Sequence, residues 1–203
     1  MMRQEGRVMK VLAASVVATG LSLSALQAGA QERVLRMDDG LQLTLPEGWR
    51  LDEAGDNPFD ATGRRRVHLV CETPACKHTQ ETCTFVLRTK PVAGANDAAR
   101  LASLYESPLT RYARLKSVLK STSKDAEIRQ DLAIRRIGER DWYVVETDAR
   151  HNYKSGFFAE TVIDGTYLGA ICKTCETGEI RHQGGQQMLM SLRSDKTRSA
   201  ALR

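Results

Sequence analysis

Aromatic residues are scarce in this chain: Trp, Tyr and Phe make up 5% of its 203 residues. No run interleaves them with basic residues, so a stacking platform for nucleic-acid bases is missing. There is no Gly-x-Ser-x-Gly nucleophile turn and no convincing Ser-His-Asp order. Gly-rich phosphate loops and a His-Glu-x-x-His zinc motif are also absent. Asp and Glu are scattered, and no spacing singles out a catalytic carboxylate pair. Beyond residue 30 no apolar run reaches the roughly 20 residues that span a bilayer. Internal repeats, linkers and low-complexity segments are lacking. Together these absences make an enzyme the minority reading.

What is present starts with residues 1–30. Arg3, Arg7 and Lys10 precede an apolar run from Val11 to Leu26, and Ala28-Gly29-Ala30 follows as a small-x-small site. That is the pattern of a secretory signal peptide cleaved after Ala30; Met9-Lys10 is an alternative start. No cysteine follows the apolar run, so a lipoprotein has no acceptor, and no transmembrane anchor is expected after cleavage. The expected location is periplasmic or secreted. Cleavage removes three basic residues and one acidic residue, which takes the net charge from +5 to +3. A mildly basic chain of this kind is not a nucleic-acid binder by charge alone. The expected organisation is a signal peptide over 1–30, one α+β domain over 31–192 and a basic, disordered tail over 193–203.

Val34 to Met37 and Leu41 to Leu45 alternate apolar and polar residues around Asp38-Asp39-Gly40, which predicts a hairpin. Residues 52–63 are polar, contain Gly and Pro, and read as a loop. Arg65 to Cys71 and Cys83 to Arg88 are two further strands. Asn96 or Asp97 can cap a helix, and Ser107-Pro108 starts a second one. Leu109, Tyr112, Leu115 and Leu119 form its apolar stripe, with Arg111, Arg114, Lys116 and Lys120 mostly on a solvated face. Four strands follow: Glu127 to Ile137, Asp141 to Thr147, Gly156 to Ile163, and Thr166 to Cys172. Asp164-Gly165 is a hairpin turn. Glu179 to Leu192 reads as a closing helix, weakened by Gly184-Gly185. Clustered strands and helices without βαβ alternation predict α+β, with a single antiparallel sheet flanked by helices.

Gly40-Leu41-Gln42-Leu43-Thr44-Leu45-Pro46-Glu47-Gly48-Trp49 resembles the opening of the PsbP/DcrB-like superfamily, where a strand ends in a Pro-x-Gly-Trp turn. The resemblance implies an antiparallel sheet flanked by helices, with a late hairpin and a closing helix. It also implies a largely non-enzymatic accessory, assembly or binding role, and it carries over no catalytic residues.

The cysteines are Cys71, Cys76, Cys83, Cys172 and Cys175, all beyond residue 30. Export predicts oxidation. Cys71 and Cys83 lie at facing ends of a hairpin, Cys76 competes for either, and Cys172-Lys173-Thr174-Cys175 can close on itself. An odd number leaves one thiol over, and sequence does not choose the connectivity. One reading is two disulfides that brace loops. A second is redox exchange at Cys172 and Cys175, aided by a following helix and Lys173. A third is zinc held by Cys172 and Cys175 with two of Cys71, Cys76, Cys83 and His78. His68 is expected on the solvent side of its strand, and His151 and His182 in polar surroundings. The expectation is an exported, non-enzymatic binding or accessory protein of the bacterial envelope, acting by protein or ligand recognition, with an envelope protein as partner and no cofactor. A periplasmic thiol–disulfide exchange protein and a zinc-binding protein are the alternatives.

Overall fold

Period-two alternation organises most of this protein into strands. The computed structural model describes residues 33–37, 40–52, 64–72, 74–88, 90–122, 125–148, 155–175 and 182–195. All of the described residues fall in one compact unit, Gln31–Arg203. The signal-peptide segment, the Asp38-Asp39 turn, most of the 52–63 loop, His151 and residues 196–203 lie outside the described residues.

Strands β1 (Arg33–Arg36) and β2 (Leu41–Leu45) form the expected antiparallel pair. β3 (Trp49–Leu51) leaves the Pro46–Gly48 turn and joins a different sheet, where it pairs with β4 (Arg64–Cys71). β5 (Thr82–Arg88) follows a short 3-10 turn at Pro74–Cys76. Helices α1 (Asp97–Ser103) and α2 (Pro108–Thr122) precede β6 (Glu127–Ile137), β7 (Arg140–Asp148), β8 (Ser155–Ile163) and β9 (Thr166–Thr174). Helix α3 (Gln183–Ser191) is followed by β10 (Arg193–Ser194), which pairs with β2.

The fold is α+β as expected, but the strands form two sheets, not one. A three-stranded sheet has the order β1-β2-β10, and a seven-stranded sheet the order β3-β4-β5-β9-β8-β7-β6. The break falls at Pro46, where the turn carries the chain out of β2 and into β3. β10 also extends the regular structure two residues past Leu192, because its backbone completes the open edge of β2.

Layers pack on both faces of the large sheet, although the helices of the second face cover only β6, β7 and β8. Its first face carries Leu69, Phe85, Leu168, Trp142 and Phe157, packed with Met188 and Leu189 of α3 and with Leu41 and Leu43 of the small sheet. The second face meets α1 and α2 through Leu101, Leu104 and Val162 and through Val118, Val145 and Phe158. Interior strand β8, flanked by β9 and β7, is therefore buried along its whole length. The tip between β8 and β9 is a tight turn in which Asp164 and Gly165 both have positive φ, at 48° and 81°. That conformation suits a two-residue hairpin. Asp97, the first residue of α1, accepts hydrogen bonds from the backbone N–H of Asp164 at 2.7 Å and Gly165 at 3.0 Å. Asn96 caps the same helix by accepting from the Ala99 N–H at 2.9 Å.

Gly184 and Gly185 lower the helix propensity of α3 but let it approach the sheet. A Cβ at Gly184 would lie 2.5 Å from the Trp49 ring, and one at Gly185 2.5 Å from Cys172 Sγ. Over-packing of this kind costs roughly 1–3 kcal/mol. Gly185→Ala is expected to lower unfolding free energy by about that amount in urea titrations. An unchanged or raised midpoint would show that α3 can shift without loss.

Candidate functional site

The seven-stranded sheet is wider than the helices that cover its second face. α2 packs on β6, β7 and β8, and α1 packs on β8. The second face of β4 and β5 is left open, and a cleft of about 750 Å³ lies between α2 and strands β5 and β9. Its walls carry Arg66 from β4, Arg88 from β5, Arg114 from α2 and Lys173 from β9. Apolar surface comes from Val86, Leu109, Val118, Phe158 and Ile171. The described lining contains no carboxylate.

Behind the cleft wall lies Glu160, with no exposed side-chain surface. It stands at the centre of β8, opposite Tyr143 on β7 and Gly169 on β9. A Cβ at Gly169 would lie 2.8 Å from the Tyr167 hydroxyl, so the glycine leaves room for that ring to lie along the sheet. Tyr167 donates its hydroxyl to Glu160 Oε2 at 2.6 Å, and Arg114 Nη1 donates to the same oxygen at 2.5 Å. Tyr105 donates to Oε1. The Arg88 guanidinium lies 4.3 Å from the centre of the Tyr167 ring, and that of Arg114 lies 5.7 Å from it. Burial pushes the Glu160 carboxyl up to about 7, against the pull of the Tyr167 hydrogen bond and the Arg88 charge. Burial and the Glu160 charge together push the Tyr167 phenol up. Lys173, half-buried, is lowered by desolvation.

A buried carboxylate beside a cleft, with its pKa pushed up by burial, is a candidate functional site, although structural ion-pair networks shift pKa values in the same way. Here both oxygens already accept hydrogen bonds, and Arg114 and Tyr167 stand between Glu160 and the cleft. The carboxylate therefore orients the residues that line the cleft, and it has no oxygen turned toward a substrate proton. General base catalysis needs the base within hydrogen-bond reach of its substrate, and Glu160 is separated from the cleft by Arg114 and Tyr167.

The helix stripe differs from its expected position. Leu109 is 80% exposed and Tyr112 is 65% exposed, whereas Val118 and Thr122 are buried. The face toward the sheet runs through Arg114, Val118 and Thr122, at spacings of four. Arg114 turns inward because the sheet presents it with a buried carboxylate, which outweighs the pull of solvent. Glu160 escaped sequence reasoning for the same reason. Its signal was a lone acidic residue in an apolar strand that turns out to be covered on both faces.

The structure chooses among the cysteine pairings that the sequence leaves open. Cys71 bonds Cys76, with a Cα separation of 5.8 Å, and Cys83 bonds Cys172, at 4.0 Å. The β4–β5 register pairs Cys83 with Leu69, so Cys71 has moved past it. The β5–β9 pairing then places Cys172 directly opposite Cys83. Cys172 and Cys175 are not bonded to each other. Cys175 lies outside both disulfides, and its thiol faces Gln80 Oε1 at 3.4 Å. The six residues Cys71, Cys76, Cys83, His78, Cys172 and Cys175 do not converge on one centre. His78 is exposed on the turn after the 3-10 segment. His68 Nδ1 lies 2.8 Å from Thr84 Oγ1 on the partly open face. His182, expected in polar surroundings, is 1% exposed because α3 seals it against the sheet.

No family model and no curated protein matches this chain in sequence. Its fold is PsbP-like. It is similar to the solution structure of cyanobacterial PsbP (CyanoP) from Synechocystis sp. PCC 6803, with a TM-score of 0.52 and 15% identity over 89% of this chain and 98% of that one. A crystal structure from Bacteroides thetaiotaomicron aligns with a TM-score of 0.47 at 10% identity, where this chain spans 48% of its length.

The raised pKa of Glu160 sets a direction for stability against pH. The folded state holds this proton more tightly than the unfolded chain, so its contribution is complete below about 4.5 and is lost as pH rises through about 7. A displacement of this size corresponds to up to about 3 kcal/mol. Glu160→Gln is expected to flatten the stability profile across that window, measured by urea unfolding at a series of pH values. A variant profile that still falls as steeply as the parent's would show that other groups set it.

Proposed function

We propose that this protein is a non-enzymatic binding protein of the bacterial envelope, exported, that takes an anionic ligand with an apolar body into the cleft beneath α2. One observation carries the reading. Arg66, Arg88, Arg114 and Lys173 converge on a cleft whose described lining has no acidic residue. In a chain whose net charge falls to +3 without residues 1–30, four cations around one concavity, Arg114 among them paired with Glu160, are a local concentration of charge. Low-dielectric walls strengthen such a field. Val86, Leu109, Phe158 and Ile171 supply apolar contact beside the charges, the mixture that ligand pockets use for affinity and orientation.

The two disulfides fit an oxidising compartment. An accessory role agrees with a PsbP-like fold and with a carboxylate whose oxygens are already taken. Fold likeness at this identity carries no activity with it, so the cleft itself bears the argument. An envelope protein that inserts an acidic, apolar segment is the version of this ligand that matches the expected partner.

Binding of dodecanoate, followed by displacement of an anionic fluorescent dye, tests the cleft. Dodecanoate is expected to bind one per chain, more weakly as salt is raised. Lys173→Glu and Arg88→Glu are each expected to weaken it about tenfold, or ~1.4 kcal/mol, while Arg136→Glu on exposed β6 leaves it unchanged. Equal affinity for dodecylammonium, or no effect of the cleft variants, would remove the basis for an anion site.

A further inference from the structure

On the opposite face of the sheet, beneath the start of α3, a second cluster is unrelated to the cleft. Glu81 and Cys83 are two residues apart leading into and along β5, so they share a face. Cys172 on β9 lies directly opposite Cys83. A Glu81 carboxylate oxygen and the two sulfurs all lie within 4.8 Å of one another, and all three residues are buried. His182, the residue before α3, closes the group. Its Nδ1 stands 3.7 Å from Glu81 Oε1, beyond hydrogen-bond reach, and is a buried nitrogen with no hydrogen-bond partner. Its Nε2 lies 3.1 Å from Ser155 Oγ. His182 holds a left-handed backbone, with φ of 46°, without using its side chain to cap the helix. A non-glycine residue in that region costs energy that the surroundings have to offset.

We propose that Glu81, Cys83, Cys172 and His182 form a zinc site once the Cys83–Cys172 disulfide is reduced, so that the same four residues alternate between a disulfide and a metal centre. Two thiolates, an imidazole and a carboxylate are a donor set that tetrahedral zinc accepts. Ligand atoms around such an ion stand roughly 3.5–3.8 Å apart. The bonded sulfurs have to separate to that spacing, and His182 Nδ1, which stands beside Glu81 but outside the three-atom group, has to close on them. The Ser155 contact to Nε2 is the outer hydrogen bond that fixes a ligating histidine and leaves Nδ1 for the metal. Gly185 keeps the space over the sulfurs clear. Glu81 also lines a surface depression with Gln80 and Thr82, which gives an ion a way in.

The step balances with a dithiol reductant as co-reactant. The dithiol gives two electrons and two protons and becomes a disulfide. The Cys83–Cys172 bond breaks to two thiols. Zinc then displaces both thiol protons and forms two sulfur–zinc bonds. A small disulfide as oxidant runs the sequence backwards: it takes up two electrons and two protons to become two thiols, the Cys83–Cys172 bond forms again, and zinc leaves.

The test uses the chain from Gln31 onward, with Cys71→Ser, Cys76→Ser and Cys175→Ser to leave two thiols, beside the parent protein. After dithiol reduction and removal of excess reductant, one zinc ion per chain is expected, with none bound before reduction. Cobalt in its place is expected to show thiolate-to-metal charge transfer. Glu81→Gln and His182→Ala are each expected to weaken zinc at least about tenfold, and a mild thiol oxidant to release it. If the triple variant does not fold, the parent protein carries the same measurements, with Cys83→Ser as the loss variant. No stoichiometric zinc on the reduced chain, or zinc retained after Cys83→Ser or insensitive to His182→Ala, would overturn the site.

Discussion

Glu160 sits in the middle of β8, an interior strand of a seven-stranded sheet, with no solvent contact and three donors around it. An ionised carboxylate in that position is unstable unless it is paired and hydrogen-bonded. The demand propagates outward. It draws Arg114 in from α2, orients Tyr105 from the α1–α2 junction and Tyr167 from β9, and requires a small residue at Gly169. Arg88 and Arg114 flank the Tyr167 ring, so the basic wall of the cleft rests on the same network. A structural ion-pair cluster and a binding surface are thus one arrangement. The helix layer can slide little over the sheet without leaving the carboxylate unpaired.

The other face is held differently. α3 approaches so closely that Gly184 and Gly185 have no room for side chains over Trp49 and Cys172. The Cys83–Cys172 bridge joins β5 to β9, the non-local neighbours that unite the β3–β5 half of the sheet with the β6–β9 half. Cross-linking positions 89 residues apart restricts the unfolded chain strongly. Cys71–Cys76, by contrast, closes only the short turn between β4 and β5. One bridge sets long-range topology and the other shapes a loop. The glycines that weaken α3 as a helix are what allow it to seal the first.

Much of the local structure was legible. The alternation at Leu41 to Leu45, the Asp164-Gly165 turn, the Asn96 cap and the four late strands all appear where their patterns place them. Short-range physics governs these features: side-chain period, turn dihedrals and helix-end hydrogen bonds. The apolar stripe of α2 was misplaced because its positions compete almost equally for burial, and a buried partner settled the competition. The second sheet was missed because alternation reports that a strand has an inner face, not which sheet it joins. His182 was misread because polar sequence neighbours say nothing about a helix folding over them.

By itself, the sequence determined the order and kind of the elements, the tight turns between late strands and a cysteine content suited to oxidation. It also carried the Pro-x-Gly-Trp turn that resembles the PsbP-like fold. Those depend on residues a few positions apart. Only the tertiary structure decided that Cys83 faces Cys172, that Glu160 is buried beneath Arg114, that four cations share one cleft, and that Glu81 and His182 meet over a disulfide. Each of these joins residues from strands or helices far apart in the chain. Their meeting depends on sheet order and on which helix covers which face, and no local pattern encodes either.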